Sequence, residues 1–135
     1  MSGKNMKILI IDDEEFFIEN LAQYLEKKIP AEISYVSQAE QALHKLEKER
    51  FDLVICDLNL PDQAEGEMLV SIHKLNPGQR FIIISAKSEQ ELPAFMAKNK
   101  RFKIYDYFEK PFNIEAIKDS ILELNKMVYK KSIEA

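Results

Sequence analysis

Apolar positions along the chain switch between two rhythms. Short, nearly unbroken apolar runs alternate with longer stretches in which apolar residues recur every three or four positions. An unbroken run is the mark of a strand covered on both faces, as in a parallel sheet. Spacing of three and four is the mark of a helix that buries one side.

Five runs read as strands. They are Met6–Ile11, Ala31–Val36, Phe51–Asp57, Arg80–Ala86 and Ile104–Glu109. Between them the helical rhythm predicts five helices. The first spans Glu14–Lys28, where Phe17, Leu21 and Leu25 recur beside Ile18 and Ala22, and Pro30 closes it. The second opens at Ser37-Gln38-Ala39-Glu40, which has capping-box spacing, and buries Ala39, Ala42, Leu43 and Leu46. The third, Glu67–Leu75, turns Met68, Leu69, Ile72 and Leu75 to one side before Asn76-Pro77-Gly78 breaks it. A fourth, over Ser88–Lys100, contains Pro93 beyond its expected first turn and should kink or restart there. The fifth is capped by Asn113 and spaces Ile114, Ile117, Ile121 and Leu124 three, four and three apart.

Strands and helices alternating at this spacing imply right-handed βαβ crossovers. The fold class expected is α/β, a five-stranded doubly wound parallel sheet with helices on both faces. Its common strand order is 2-1-3-4-5, with a crevice beyond the C-terminal ends of strands one and three, where the winding reverses. The chemistry-bearing residues fall at those strand ends. Strand one stops at Asp12-Asp13, strand three at Asp57, strand four at Ser85 and strand five at Lys110. Pro61, which cannot donate to a ladder, closes the region after Asp57.

Three carboxylates gathered in one crevice repel, each pair by about 4 kcal/mol at ~4 Å and an effective dielectric of ~20. One lysine does not offset that. A hard divalent cation with oxygen ligands does, and Mg²⁺ prefers one or two carboxylates, waters and a phosphate oxygen. Phosphorylating Asp57 would replace one negative charge with about two, and Ser85 and the Lys110 ammonium can donate to them. The constellation suits phosphoryl transfer to a carboxylate, where catalysis is mostly positioning and charge stabilisation.

Composition narrows the classes. The 135 residues suffice for one domain with a sizeable core, 46% of them being hydrophobic. A net charge of −4, from 19 basic and 23 acidic residues, offers no general attraction to nucleic acid or an anionic membrane. The single cysteine, Cys56, cannot form an internal disulfide, which fits a reducing compartment. No apolar run approaches the ~20 residues of a membrane helix, and the N-terminus lacks a signal-peptide pattern. A cytoplasmic protein is expected, with no direct nucleic-acid binding and no membrane association.

The motifs Ile11-Asp12-Asp13-Glu14, Asp57-Leu58-Asn59-Leu60-Pro61, Ser85-Ala86 and Tyr107-Phe108-Glu109-Lys110-Pro111-Phe112 occur in this order at these strand ends. In this the chain resembles the receiver domain of two-component response regulators, chemotaxis-regulator-like and flavodoxin-like in topology. The resemblance implies a receiver domain over 6–126, with 1–5 and 127–135 as terminal extensions, the latter a candidate linker to an output domain. It implies that Asp57 accepts a phosphoryl group from a phosphohistidine on a sensor histidine kinase or histidine phosphotransfer protein. It implies Mg²⁺ (or Mn²⁺) bound by Asp13, Asp57 and the backbone carbonyl of Asn59, with Asp12 acting largely through water. Lys110 would pair with phosphoryl oxygens, Ser85 would bond the phosphoryl group, and Tyr107 would move inward with it. The Lys110–Pro111 bond would be cis. Such a protein is a switch for a downstream effector and no metabolic enzyme, catalysing only its own phosphoryl transfer and dephosphorylation. A phosphorylation-dependent homodimer through the fourth helix, fifth strand and fifth helix is compatible with the sequence but not indicated by it.

Two competing readings remain at this point. An aspartyl-nucleophile phosphatase would carry a second acid two residues after the nucleophile, where this chain has Asn59. A receiver retained only as an unphosphorylated binding module would not need Asp12, Asp13, Asp57, Ser85 and Lys110 together. Compared with the family pattern, Lys98–Lys103 replaces a small residue pair before strand five, and Lys87 and Asn59 occupy positions that tune phosphoryl lifetime. His44 and His73 read as solvated surface residues, Lys98–Lys103 as a solvated helix end, and Cys56 as a buried thiol pointing away from Asp57.

Overall fold

The structure is a computed structural model and describes residues 6–86 and 90–134. Its elements are β1 (Met6–Ile11), α1 (Glu15–Lys28), β2 (Ala31–Val36), α2 (Ala39–Lys48), β3 (Leu53–Asp57), α3 (Glu67–Leu75), β4 (Arg80–Ser85), α4 (Leu92–Lys98), β5 (Lys103–Glu109) and α5 (Ile114–Glu134). The strands form one parallel sheet in the order β2-β1-β3-β4-β5.

Strand residues alternate between two cores, which explains the unbroken apolar runs. Leu9, Ile11, Val54, Cys56, Phe81 and Ile83 face a cluster completed by Ala39 and Ala42 of α2, by Met68, Leu69 and Ile72 of α3, and by Phe95 of α4. Ile8, Ile10, Leu53, Ile55, Ile82 and Ile84 face the other, completed by Ile18, Leu21 and Leu25 of α1 and Ile117, Ile121 and Leu124 of α5. Because every residue of β3 is buried, no polar position is left to mark a solvent face.

Several local expectations are corrected. The Ser37–Glu40 capping box does not form. Gln38 is the N-cap of α2 without a side-chain bond, and the Ser37 hydroxyl donates to Glu15 Oε1 at 3.0 Å. The helix proposed from Ser88 begins at Leu92, which puts Pro93 in the first turn, where its missing N–H costs nothing and no kink arises. Lys87 and Ser88 themselves lie outside the described residues. Leu75 is not on the buried face but exposed at the end of α3. His73 is half-buried, its ring edge-on to Phe102 at 5.3 Å between centroids. Asn113 does cap α5, its Oδ1 accepting the Glu115 N–H at 2.8 Å, and α5 continues to Glu134, through the stretch expected as a terminal extension and candidate linker.

One irregularity was not expected. The β4–β5 register slips between Phe81 and Ile82, whose partners are Ile104 and Asp106. The extra residue lets Tyr105 pack with the α1–α5 cluster while Ile104 and Tyr107 both pack with the other. Asp106, which follows the unpaired Tyr105, ties the bulge down, its Oδ1 accepting the Tyr107 N–H at 2.8 Å and its Oδ2 accepting the Ser120 hydroxyl of α5 at 2.6 Å.

Candidate functional site

The sheet register assembles the site. Ile11 of β1 stands beside Cys56 of β3, and the next residue of each strand is an acid, Asp12 and Asp57. Asp57 in turn stands beside Ile84, after which comes Ser85, and Ser85 stands beside Glu109, after which comes Lys110. The ladder runs one step further at each edge. The Asp12 N–H donates to the Val36 carbonyl at 3.3 Å and the Lys110 N–H to the Ser85 carbonyl at 2.7 Å. The Lys110–Pro111 bond is cis.

From the edge strand the Lys110 side chain reaches back across the top of the sheet. Its ammonium donates to Asp12 Oδ2 at 2.7 Å, Glu14 Oε1 at 2.9 Å and Asp57 Oδ2 at 3.1 Å. The Phe17 ring lies 5.4 Å from the same nitrogen. Asp12 is fully buried and its other oxygen accepts the Glu14 N–H at 2.9 Å. Asp57 is nearly so, and its Oδ1 accepts the Asn59 N–H at 2.9 Å. The Asn59 side-chain amide donates to the buried Ser85 hydroxyl at 3.3 Å.

The electrostatics follow from burial. Burial pushes the Asp12 carboxyl above its ordinary 3.8, outweighing the bonds from Lys110 and Glu14. Burial also works against the Lys110 ammonium, but the hydrogen bonds of Asp12 and Glu14 and the charges of Asp12 and Asp57 hold its pKa above the usual 10.5. Cys56 faces the opposite core and is wholly buried. Desolvation, then the nearby Asp57 and Asp12, raise its thiol pKa above 9.0, so it stays protonated and inert.

Asp13 turns outward, yet the carboxylate oxygens of Asp12, Asp13 and Asp57 lie within 4.8 Å of one another. This donor set is all oxygen and carries excess negative charge, which fits a hard divalent cation. Nothing in the sequence marks Glu14 as a partner of Lys110. Four carboxylates and one ammonium with one divalent cation leave a negative charge over, where three would have balanced. Tyr107 is half-buried on the α2–α4 side of β5. Among the described residues no helix is long and apolar enough to cross a membrane.

The family model of the response regulator receiver domain matches residues 8–122 of this chain. The chain belongs to that family. This receiver domain is 31% identical over 117 residues to sporulation initiation phosphotransferase F of Bacillus subtilis, covering 87% of this chain and 91% of that protein. It is 30% identical over 125 residues to the sensory transduction protein LytR of Staphylococcus haemolyticus, where it covers 91% of this chain but 46% of the relative. Among solved structures it is similar to a CheY-like response regulator receiver domain protein from Methanospirillum hungatei, with a TM-score of 0.75 and 28% identity over 97% of this chain and 98% of that one. It is also similar to response regulator protein TrrA from Thermotoga maritima, solved in complex with Mg(2+)-BeF, with a TM-score of 0.72 and 27% identity over 88% and 98% of the two chains. As a receiver domain, the protein is a component of two-component signalling, a switch and not a conventional enzyme, in a family that works with histidine kinases or phosphotransfer proteins.

Proposed function

We propose that this receiver domain, over residues 6–126, is a phosphoacceptor switch in which Asp57 takes a phosphoryl group from a phosphohistidine of a sensor histidine kinase or histidine phosphotransfer protein. The observation that carries the reading is the placement of Asp57. Its side chain is 7% exposed, bonded to Lys110 at 3.1 Å, and clustered with two further carboxylates. A nucleophilic carboxylate so placed has a cation to hold its charge and an acidic cluster able to recruit a second.

Asp12, Asp13 and Asp57, with the main-chain carbonyl of Asn59, would hold Mg²⁺ (or Mn²⁺). When bound, the ion supplies charge neutralisation for the reacting phosphoryl oxygens. The chain's own residues do the rest. Lys110 offers its ammonium to the phosphoryl oxygens. Ser85, whose hydroxyl already meets the Asn59 amide, donates to the new group. Tyr107 follows Ser85 inward, which alters the β5 surface read by a downstream effector. Hydrolysis of the acyl phosphate by water returns the switch to rest, the only turnover assigned to the chain. We place it in the cytoplasm, where its family's partners present phosphohistidine.

The test is intact-mass measurement after incubation with Mg²⁺ and acetyl phosphate, beside Asp57→Asn. One added phosphoryl group on the wild type alone supports the switch. Steady release of phosphate without an adduct favours a phosphatase, and no adduct with any donor leaves a binding module.

A further inference from the structure

The Lys110 ammonium has three N–H donors. Each is directed at one carboxylate, those of Asp12, Glu14 and Asp57, at 2.7, 2.9 and 3.1 Å. The donor set is therefore full at rest. Phosphorylation frees only the donor now on Asp57 Oδ2, so a phosphoryl group that engages a second Lys110 donor must take it from Asp12 or Glu14. The three acceptors differ in what they lose on release. The Asp12 side chain is 0% exposed, that of Asp57 7%, and that of Glu14 60%. Releasing Asp12 would strand a buried charge, whereas Glu14 simply returns to water.

The backbone of Glu14 is fixed by two bonds, while among the described residues its exposed side chain is held only through Lys110. Its N–H donates to Asp12 Oδ1 at 2.9 Å, and its carbonyl accepts the Ile18 N–H at 3.1 Å as the N-cap of α1. The Phe17 ring 5.4 Å from the lysine nitrogen keeps the ammonium near the crevice when one partner leaves.

We propose that Glu14 is a positioning residue: it occupies, at rest, the Lys110 donor that the phosphoryl group takes, and so sets how readily Asp57 is loaded. The proposal rests on the phosphoacceptor reading above. In loading from acetyl phosphate, an Asp57 oxygen forms the new bond to phosphorus as the donor's phosphorus–oxygen bond breaks. Acetate leaves with the electron pair and no proton need move. Glu14 surrenders its hydrogen bond to Lys110 as the phosphoryl oxygens accept it. Glu14 therefore opposes the loaded state, through its contact with Lys110.

The experiment follows loading of the full chain by intact mass, with acetyl phosphate and a Mg²⁺ titration, for the wild type, Glu14→Gln, Glu14→Ala and Glu14→Asp. Loss of one exposed charge-assisted bond corresponds to loading roughly threefold to tenfold faster in Glu14→Gln and Glu14→Ala, with a longer adduct half-life. A gain of this kind cannot come from damaged folding. Glu14→Asp keeps the charge but falls short of Lys110 by a methylene, so it should load like Glu14→Ala. The half-saturating Mg²⁺ concentration should stay put, since Glu14 is outside the metal-sized cluster of Asp12, Asp13 and Asp57. Unchanged or slower loading in Glu14→Gln and Glu14→Ala overturns the proposal. So does wild-type behaviour of Glu14→Asp, which would mean a field effect without contact, and so does a shifted Mg²⁺ requirement. If the wild type takes no adduct at all, the phosphoacceptor reading falls and this proposal with it.

Discussion

The two ends of the sheet both carry a lysine over a phenylalanine ring, but in opposite charge settings. At the N-terminal edge, Lys7 lies 5.3 Å from the Phe51 ring and bonds Glu49 at 3.0 Å, while Lys45 bonds the other Glu49 oxygen at 3.0 Å. The Lys7 N–H donates to Asp52 Oδ2 at 2.8 Å, and the Asp52 N–H returns a bond to the Lys7 carbonyl at 2.8 Å. Two lysines share the one carboxylate of Glu49 there, all three side chains about a third exposed, and among the described residues Asp52 is met only by a main-chain N–H. At the C-terminal edge one lysine meets Asp12, Glu14 and Asp57, with Asp13 beside them, and Asp12 is fully buried. An ion pair alone therefore says little about function. A closed, wet group of charges is finished as it stands, whereas a buried group with surplus charge of one sign needs a ligand.

The largest effect should come from Lys110→Ala. It leaves the buried Asp12 carboxylate without its cation, a loss of about 3–5 kcal/mol by the measure of broken buried pairs. Urea unfolding would show it, and Asp12→Asn in the same chain should recover much of it. The pH dependence has a definite sign. Because the Lys110 pKa is raised in the folded state, its contribution is fully present below the ordinary 10.5 and is lost as pH rises through the folded value. The gap between wild type and Lys110→Ala should hold from neutral pH to about pH 10 and narrow only above the ordinary 10.5. A gap that closes near pH 7 would show that the lysine does not hold these acids.

Next in size is the response to metal. Mg²⁺ binding to the folded state should raise the thermal midpoint, with about 2.7 kcal/mol of stabilisation at a hundred times the dissociation constant. A chelator should reverse it. Asp13→Asn should weaken the response while leaving the metal-free protein no less stable, since it removes repulsion and Asp13 is exposed. Equal responses in wild type and Asp13→Asn would remove Asp13 from the metal site.

A smaller effect belongs to the β5 bulge. Ser120→Ala removes the 2.6 Å bond to Asp106 and should lower stability by about 1 kcal/mol. Since Asp106 also holds the Tyr107 N–H, amide exchange at Tyr107 should quicken in the same variant. Unchanged exchange would show that the two bonds are independent.

Legibility tracked the strength of packing constraints. Burial on both faces makes Ile8–Ile11 of β1, Leu53–Cys56 of β3 and Phe81–Ile84 of β4 apolar without a break, so the ends of these strands, and the polar residues placed there, are readable. Parallel register then brought Asp12, Asp57, Ser85 and Lys110 to one edge, as the strand order predicts. What escaped was set by side chains free to choose partners. Glu14 is exposed, and nothing in its neighbours' spacing tells that it bends toward Lys110 and not water. Ser37 had a suitable Glu40 three residues on, yet bonded Glu15 across the fold. The bulge was hidden because Tyr105 and Asp106 continue an acceptable strand composition while the register beneath them shifts by one. In α4, a start at Ser88 would put Pro93 past the first turn, but proline is most comfortable in a first turn, and the helix begins at Leu92.

The smallest effect is predicted at the opposite edge, and it is the sharpest check on the comparison. Lys45, then Lys7, hold the Glu49 carboxyl below its ordinary 4.5. That depressed value means a contribution present above pH 4.5 and lost as pH falls through the folded pKa. The group is open to solvent, so water and salt screen most of it. Glu49→Gln should move the thermal midpoint less than Ser120→Ala does, and the difference should vanish in high salt. It should leave phosphoryl loading and the Mg²⁺ response untouched. The Lys110→Ala defect, by contrast, should persist in the same salt, because Asp12 is shielded from ions by the sheet and helices around it. If salt erased both defects alike, or if Glu49→Gln cost as much as Lys110→Ala, burial would not be what separates the two edges. The surplus of acids around Lys110 would then be no guide to the site.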